Sequence, residues 1–223
     1  MNVKVWSDFR CPFCYIGKIN LDKAIEMSGK DINVEMMSYE LDPTYEPTPG
    51  QSYVNRLAVN IGTSEREAQL RINHIAQMAK NVGLNYDFEN MMDVNSFKIH
   101  RVFQVAKQAG KGNEFYNLGM SAYFEHGRDI SDEKLLKELA SQVGITSQQV
   151  DEALTSPKIA DLVRQEEQQA HQIGVKGVPY FLIDDQVFVS GAQAPESYVE
   201  AFEYVLKLNP NNDLSCTDES CVV

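Results

Sequence analysis

The sequence predicts an α/β fold that is interrupted by an inserted all-helical domain. Three observations lead to this prediction: β-rich segments lie near both ends of the 223-residue chain, strand signals vanish from about residue 50 to residue 156, and helix-capping signals replace them there. The order of strand, helix, strand, helical block, strand hairpin and helix places both ends of the chain in one sheet. We therefore expect a discontinuous α/β domain over residues 1–44 and 157–208, a helical insertion over residues 45–156, and a flexible tail over residues 209–223.

The first 44 residues contain two strand signals with a helix signal between them. The opening segment NVKVWS alternates two sets of side chains, which is typical of a short strand. The segment CPFCYIGKINLDKAIEMSGK then spaces its isoleucines and its leucine roughly along one helical face and ends near Gly29. Cys11 therefore falls at the helix N-terminus, with Pro12 in the first turn. The segment INVEMMSYEL predicts a second strand, which the proline-rich stretch after it ends.

Capping signals divide the middle of the chain into several helices. Ser64 and Glu67 match a capping box ahead of a periodic apolar run. Further helix starts and stops are predicted at Ser96, Gly127, Ser131 and Gly144.

Strand signals return in the last quarter of the chain. Ser156 and Pro157 open a charged helix that runs to Gly174. The segment VPYFLIDDQVFVSG then predicts a strand hairpin around an Asp184-Asp185 turn, and Pro195 opens a last helix that ends at Leu208.

The composition indicates an ordinary globular protein. The formal net charge of −12 repels phosphate backbones and anionic lipid, and the lysines and arginines form no basic block. No apolar run approaches the roughly 18 residues of a membrane helix, and no apolar signal segment follows a basic start. We therefore expect a cytoplasmic protein that binds neither nucleic acid nor membrane, and the sequence carries no signal for an oligomeric state.

Cys11 and Cys14 form a Cys-Pro-Phe-Cys motif directly after the first predicted strand. Residues i and i+3 are neighbours on a helix, and their backbones can lie within the roughly 4.4–6.8 Å Cα separation that a disulfide tolerates. The amides and the dipole at a helix N-terminus favour a thiolate, and Arg10 adds a cation. We therefore predict that Cys11 is the more exposed, attacking thiolate and that Cys14 resolves the mixed disulfide from within the helix.

A zinc site and two buried, inert thiols are the alternatives for this pair. A closed structural zinc site needs four ligands, and the other two cysteines lie near the C-terminus. No metal is therefore predicted, and in a reducing cytoplasm structural disulfides would not persist. None of the four histidines has metal-ligand spacing with another; they are His74, His100, His126 and His171.

The segment GVKGVPYFLI places Pro179 at the start of a predicted strand, where its missing N–H weakens sheet pairing. A cis Val178–Pro179 bond would turn the chain sharply and leave the backbone of Val178 free to pair with an extended peptide. An ordinary trans proline at a strand start is the alternative.

Together these segments resemble the thioredoxin superfamily, in which a C-P-x-C site and a Val-Pro loop face each other across a small sheet. The segments WSDFRCPFCYIGK, NSFKIHRVFQVAKQAG, AYFEHGRDISD, GVKGVPYFLID and SGAQAPE are similar to the FrnE-type branch of DsbA-like oxidoreductases. This branch is related to 2-hydroxychromene-2-carboxylate isomerases and kappa-class glutathione transferases. The resemblance spans nearly the whole chain and implies a thioredoxin-like fold with an inserted helical domain.

The resemblance also implies a role for each residue of the two motifs. Cys11 resembles the nucleophile and Cys14 the resolving thiol, while Pro179 resembles the cis-proline of the family. The residues predicted to contact the substrate are Pro12, Phe13, Val178 and Pro179.

Three parts of the sequence depart from the family pattern. Phe13 stands where many members have tryptophan, a change that keeps an apolar contact but can shift thiol pKa values and substrate preference. Val5 stands where exported DsbA proteins have a buried glutamate, so the proton of the buried cysteine must pass to water or to another group such as Asp8. Ala192 and Gln193 stand where kappa-class transferases hold glutathione with a Ser-Asp pair, which argues against tight glutathione binding.

Four further residues are candidates for the function. Cys216 and Cys221 form a C-x4-C pair in the acidic tail, as in some FrnE-type proteins, and this second redox pair could relay electrons to Cys11. Two incidental thiols are the alternative. Asn95 and His100 lie in the family-like segment NSFKIHR and are candidates to line the cleft, with helix packing as the alternative for His100.

The sequence thus predicts a thiol-disulfide oxidoreductase or isomerase that acts on peptide or protein thiols and disulfides. It requires no bound cofactor, and glutathione or a thioredoxin-type reductant is the expected source of electrons. A glutathione-dependent transferase or a 2-hydroxychromene-2-carboxylate-type isomerase is the first alternative, and its turnover would survive Cys14→Ser. A non-catalytic redox sensor or chaperone-like protein is the second, and its client binding would survive Cys11→Ser.

Overall fold

The computed structural model describes residues 1–48 and 50–209 and confirms the predicted α/β fold class. The strands are β1 (Asn2–Ser7), β2 (Asn33–Ser38), β3 (Tyr180–Ile183) and β4 (Val187–Ser190). The helices are α1 (Pro12–Ser28), α2 (Tyr53–Ile61), α3 (Glu65–Asn81), α4 (Phe97–Gln108), α5 (Gly112–Phe124), α6 (Glu133–Gln142), α7 (Ser147–Thr155), α8 (Pro157–Gln172) and α9 (Pro195–Leu208).

The four strands form one mixed sheet in the order β2-β1-β3-β4. β1 runs parallel to β2 and antiparallel to β3, and β3 and β4 form the predicted hairpin. Asp184 and Asp185 make its turn at φ 47° and 56°, a left-handed conformation that aspartate adopts more readily than most residues. Because β1 is a central strand, the residues that follow it leave the sheet at its middle.

Helices cover both faces of the sheet. The side chains of β1 alternate between these two faces. Val3 and Val5 belong to the large apolar core that also contains residues of α1 and α9. Trp6 points to the opposite face, where it packs with Tyr180 and donates an indole hydrogen bond to the Glu166 carbonyl of α8 at 2.9 Å. The sheet is therefore fixed on both sides close to the end of β1.

Every regular element between β2 and α8 in the described chain is a helix, as the sequence predicts. Two predicted caps differ in detail. Asp132, and not Ser131, caps α6, because its carboxylate accepts the amides of Lys134 and Leu135. The capping box at Ser64 is also incomplete.

Ser64 accepts the amide of Glu67 at the start of α3, which is one half of the predicted capping box. The Glu67 carboxylate turns instead to the Thr63 hydroxyl, so the reciprocal bond is missing.

The predicted limits of the two domains and of the tail stay predictions, and Cys216 and Cys221 lie outside the described residues. Among the helices that are described, none is long and apolar enough to cross a membrane.

Candidate active site

The Cys-Pro-Phe-Cys motif forms the first turn of α1. Cys11 is the N-cap residue, with extended backbone dihedrals of φ −92° and ψ 112°, and Pro12 is the first helical residue. The Cys14 amide donates to the Cys11 carbonyl at 3.0 Å, which holds both cysteines within one turn. Both thiols are free and buried; Cys11 is 4% exposed and Cys14 is 1% exposed. Cys11 is therefore the more accessible thiol only by a small margin.

The Val178–Pro179 loop lies directly against this turn. Its peptide bond is cis, and the Cys11 thiol donates to the Val178 carbonyl with an Sγ–O distance of 3.5 Å. Gly17 of α1 permits the approach, because a Cβ at this position would lie 3.0 Å from Cγ of Pro179. The two motifs singled out in the sequence therefore meet at Cys11.

A cavity of about 570 Å³ opens beside Cys11, between the motif and the helical block. Pro12, Phe13 and Val178 line it, whereas Pro179 does not. The contact of these residues with a substrate stays a prediction. An apolar depression of about 500 Å³ adjoins the cavity. The two share three lining residues, which are Phe13, Leu57 and Ile75.

The thiol of Cys14 is buried next to the side chain of Ser7. Burial raises the pKa of Cys14 well above its usual value, and the neighbouring Cys11 raises it further. A hydrogen bond from the Ser7 side chain acts in the opposite direction, as does one from the Asp8 backbone. The Ser7 hydroxyl is itself 2.7 Å from the Tyr116 hydroxyl. Asp8, the candidate proton acceptor, thus faces Cys14 with its amide and not with its carboxylate.

The Asp8 carboxylate contacts two backbone amides and a histidine of α4. It accepts the amides of Arg10 at 3.0 Å and Leu41 at 2.8 Å, and lies 3.6 Å from Nε2 of His100. That last distance is too long for a well-formed hydrogen bond. Burial acts to raise the pKa of Asp8, but His100 and the two amides outweigh it, and the net shift is downward.

Asn95 and His100 do not line the cavity. Asn95 donates to the Tyr45 carbonyl at 3.0 Å and accepts the Phe97 amide at 2.7 Å, so it orders the start of α4. His100 is 1% exposed and packs edge-on against Phe9 at a centroid distance of 5.0 Å. His100 therefore supports the loop that carries Cys11, through Phe9 and Asp8, whereas Asn95 contacts Tyr45 and the start of α4.

Two tyrosines at the site are not indicated by any pattern in the sequence. The Tyr86 hydroxyl donates to the Pro12 carbonyl at 2.7 Å, and its ring stacks on Phe124 at 4.8 Å. Tyr116 reaches Ser7 from α5. No local pattern marks these residues, because each acts across more than 70 positions of the chain.

Glu40 follows β2 and is a buried carboxylate, with an exposed fraction of 4%. Burial raises the pKa of Glu40 to about 7, although His100 and Arg164 act to lower it. Between its ordinary value of 4.5 and about 7, the folded protein therefore binds more protons at Glu40 than the unfolded chain does. The stability that depends on the protonated carboxyl is lost as pH rises through this window.

We expect Glu40→Gln, which imitates the protonated side chain, to gain about 1–2 kcal/mol in unfolding free energy relative to wild type between about pH 5 and about pH 7.5. Urea unfolding of both proteins at the two pH values measures this difference. Glu203→Gln on the exposed face of α9 is the control and should shift by less than about 0.5 kcal/mol. Parallel pH profiles for wild type and Glu40→Gln would contradict the prediction.

Comparison with known proteins identifies the family. The profile of the DSBA-like thioredoxin domain matches residues 2–203. The uncharacterized protein YwbO of Bacillus subtilis is 30% identical over 203 residues, which cover 90% of this chain and 95% of that protein. A crystal structure from Streptomyces coelicolor, described as a probable DsbA oxidoreductase, is also 30% identical, has a TM-score of 0.87, and is matched over 100% of this chain and 94% of that one.

The fold also matches that of the cytosolic disulfide reductase DsbM from Pseudomonas aeruginosa, with a TM-score of 0.66 and 15% identity over 93% of this chain and 100% of that one. These matches confirm the resemblance to DsbA-like oxidoreductases that the two motifs carry. The chain belongs to the DsbA-like thioredoxin domain family.

Proposed function

We propose that the protein is a thiol-disulfide oxidoreductase that acts on peptide or protein substrates through Cys11 and Cys14. One observation carries the proposal: Cys11 caps the N-terminus of α1 at the wall of a cavity, and the buried Cys14 lies one turn behind it. A substrate in the cavity can reach Cys11, whereas the buried Cys14, which does not line the cavity, is shielded from other disulfides.

The reaction in the reducing direction has two steps. The Cys11 thiolate attacks one sulfur of a substrate disulfide, a Cys11–substrate bond forms, and the other substrate sulfur leaves as a thiolate and takes up a proton. The deprotonated Cys14 then attacks Sγ of Cys11, which forms the Cys11–Cys14 disulfide and releases the second substrate thiol. Two electrons have passed to the substrate, and the reverse sequence oxidises a dithiol.

The second step requires Cys14 to lose its proton. A hydrogen bond from Ser7 stabilises the Cys14 thiolate, and Tyr116 orients the Ser7 hydroxyl. We therefore assign Ser7 and Tyr116 as positioning residues of this step.

The dithiol itself carries the electrons, so the proposal includes no bound cofactor. A thiol reductant such as glutathione or a thioredoxin-type protein returns the pair to its reduced state. A cytoplasmic location belongs to the same proposal. The relay through Cys216 and Cys221 stays a separate prediction.

Equilibration in graded glutathione redox buffers, followed by mass spectrometry of each thiol pair, tests the proposal. We expect Cys11 and Cys14 to form their disulfide in one two-electron transition, both in the full chain and in a chain truncated after residue 209. Cys14→Ser is the control and should show only glutathionylated Cys11. A Cys11–Cys14 pair that stays reduced in every buffer would refute the proposal.

A further inference from the structure

Arg10 carries a buried positive charge beside Cys11 without a counter-ion. Its side chain is 9% exposed, it lines the same cavity as Cys11, and its Nε is buried without a hydrogen-bond partner. Within residues 1–48 and 50–209 its guanidinium forms no ion pair and donates no hydrogen bond; it lies over the Tyr45 ring, 3.8 Å from the centroid. An aromatic face compensates only part of the loss of water around such a charge.

The carboxylates near the cavity in the described part of the chain already have other partners. Arg56 lines the same cavity but is paired with Asp93 at 2.9 Å, and Asp93 also accepts the Tyr45 hydroxyl at 2.6 Å. Asp42 accepts the amide and the hydroxyl of Thr44, at 2.9 and 2.7 Å. Of the two arginines that line the cavity, Arg10 is therefore the one whose charge has no partner in the described chain.

We propose that Arg10 binds a carboxylate of the substrate while the substrate sulfur reacts at Cys11. The enzyme then prefers thiols and disulfides that carry an acidic group close to the sulfur. A guanidinium donates charge-assisted hydrogen bonds to a carboxylate, and the desolvated site strengthens them. The rest of the wall, with Phe13, Leu57 and Ile75, accommodates the apolar part of the substrate. This inference rests on the proposed function and names the class of its substrates.

The test follows reduction of the Cys11–Cys14 disulfide by small thiols of different charge. In each reaction a thiolate attacks Sγ of Cys11 and releases Cys14, and a second thiolate then frees Cys11 and leaves as the small-molecule disulfide. The thiols are 3-mercaptopropionate, 2-mercaptoethanol and cysteamine, which are anionic, neutral and cationic apart from the thiol. Rate constants are corrected for the thiolate fraction and compared as the ratio of the anionic to the neutral thiol.

We expect Arg10→Met, whose side chain can still cover Tyr45, to lower this ratio roughly tenfold, and Arg10→Lys to retain most of it. A change in the reactivity of Cys11 alone would alter all three rates equally and leave the ratio unchanged. Arg71→Met, which removes an exposed charge from the adjoining apolar depression, is the matched control and should leave the ratio at its wild-type value.

A second arm uses end-blocked cysteine peptides with glutamate or glutamine next to the cysteine. Discrimination in this arm assigns the carboxylate to a peptide side chain, and discrimination with 3-mercaptopropionate alone assigns it to a small acidic thiol. Equal ratios for wild type and Arg10→Met in both arms would overturn the proposal that Arg10 binds a substrate carboxylate. The proposed oxidoreductase function would not be affected by this result. If the Cys11–Cys14 disulfide reacts with none of the thiols, both the proposed function and the role of Arg10 are refuted.

Discussion

Cys11→Ser is expected to abolish catalysed disulfide exchange, so that dithiothreitol reduces insulin no faster with the variant than without any enzyme. A serine hydroxyl is not ionised at neutral pH and forms no disulfide, so both steps at Sγ are lost. Within the described chain, Cys14 cannot substitute, because it is 1% exposed and does not line the cavity. The turbidity of the precipitating insulin B chain measures the rate.

Cys14→Ser separates this mechanism from its alternatives. The variant keeps the attacking thiol but has no resolving thiol, so we expect it to accumulate the Cys11–substrate disulfide, visible as an added mass. A transferase or isomerase would keep its turnover in Cys14→Ser, and a chaperone-like protein would keep client binding in Cys11→Ser. Insulin reduction by Cys11→Ser at the wild-type rate would contradict the assignment of Cys11.

The sequence predicts the elements that carry the site because their signals are local. Gly29 adopts φ 61° and ends α1, and Pro12 occupies its first position, as punctuation by glycine and proline predicts. The local pattern at Pro179 leaves a trans bond open, and it is the family resemblance that implies the cis bond found in the structure.

The supporting contacts could not be predicted, because each joins residues distant in sequence. Tyr86 and Tyr116 lie in a loop and a helix with no unusual pattern, yet their hydroxyls hold the motif and Ser7. His100 is a candidate from the sequence to line the cleft, but the packing of α4 beneath Phe9 places it against Asp8 and not in the cavity. Periodicity gives the face of a helix and not its neighbour.

Phe9→Ala is expected to cost about 3–5 kcal/mol in unfolding free energy, the largest effect we predict on stability. Phe9 follows β1, is fully buried, and inserts into the helical block between His100, Phe103 and Tyr116, at centroid distances of 5.0, 5.8 and 5.3 Å. Its removal leaves a cavity between the loop that carries Cys11 and two helices. Urea unfolding measures the loss, and Phe188→Ala, at a side chain that is 63% exposed, should cost less than about 1 kcal/mol.

Gly119 of α5 packs against the ring of Phe9, so a substitution there tests the same packing from the helix side. A Cβ at this position of α5 would lie 2.7 Å from Cε1 of Phe9, so Gly119→Ala alone should destabilise the protein by about 1–3 kcal/mol through overpacking. In the Phe9→Ala background the clash with the ring is gone, and the remaining close approach is to Cδ1 of Ile99 at 2.8 Å, the end of a flexible side chain, so the cost of the added methyl group should fall by at least half. The two substitutions would then show a coupling of about 0.5–2 kcal/mol. Strict additivity would mean that the ring and α5 do not share this space, and that the loop bearing Cys11 is held by other contacts, such as those of Asp8 and Tyr86.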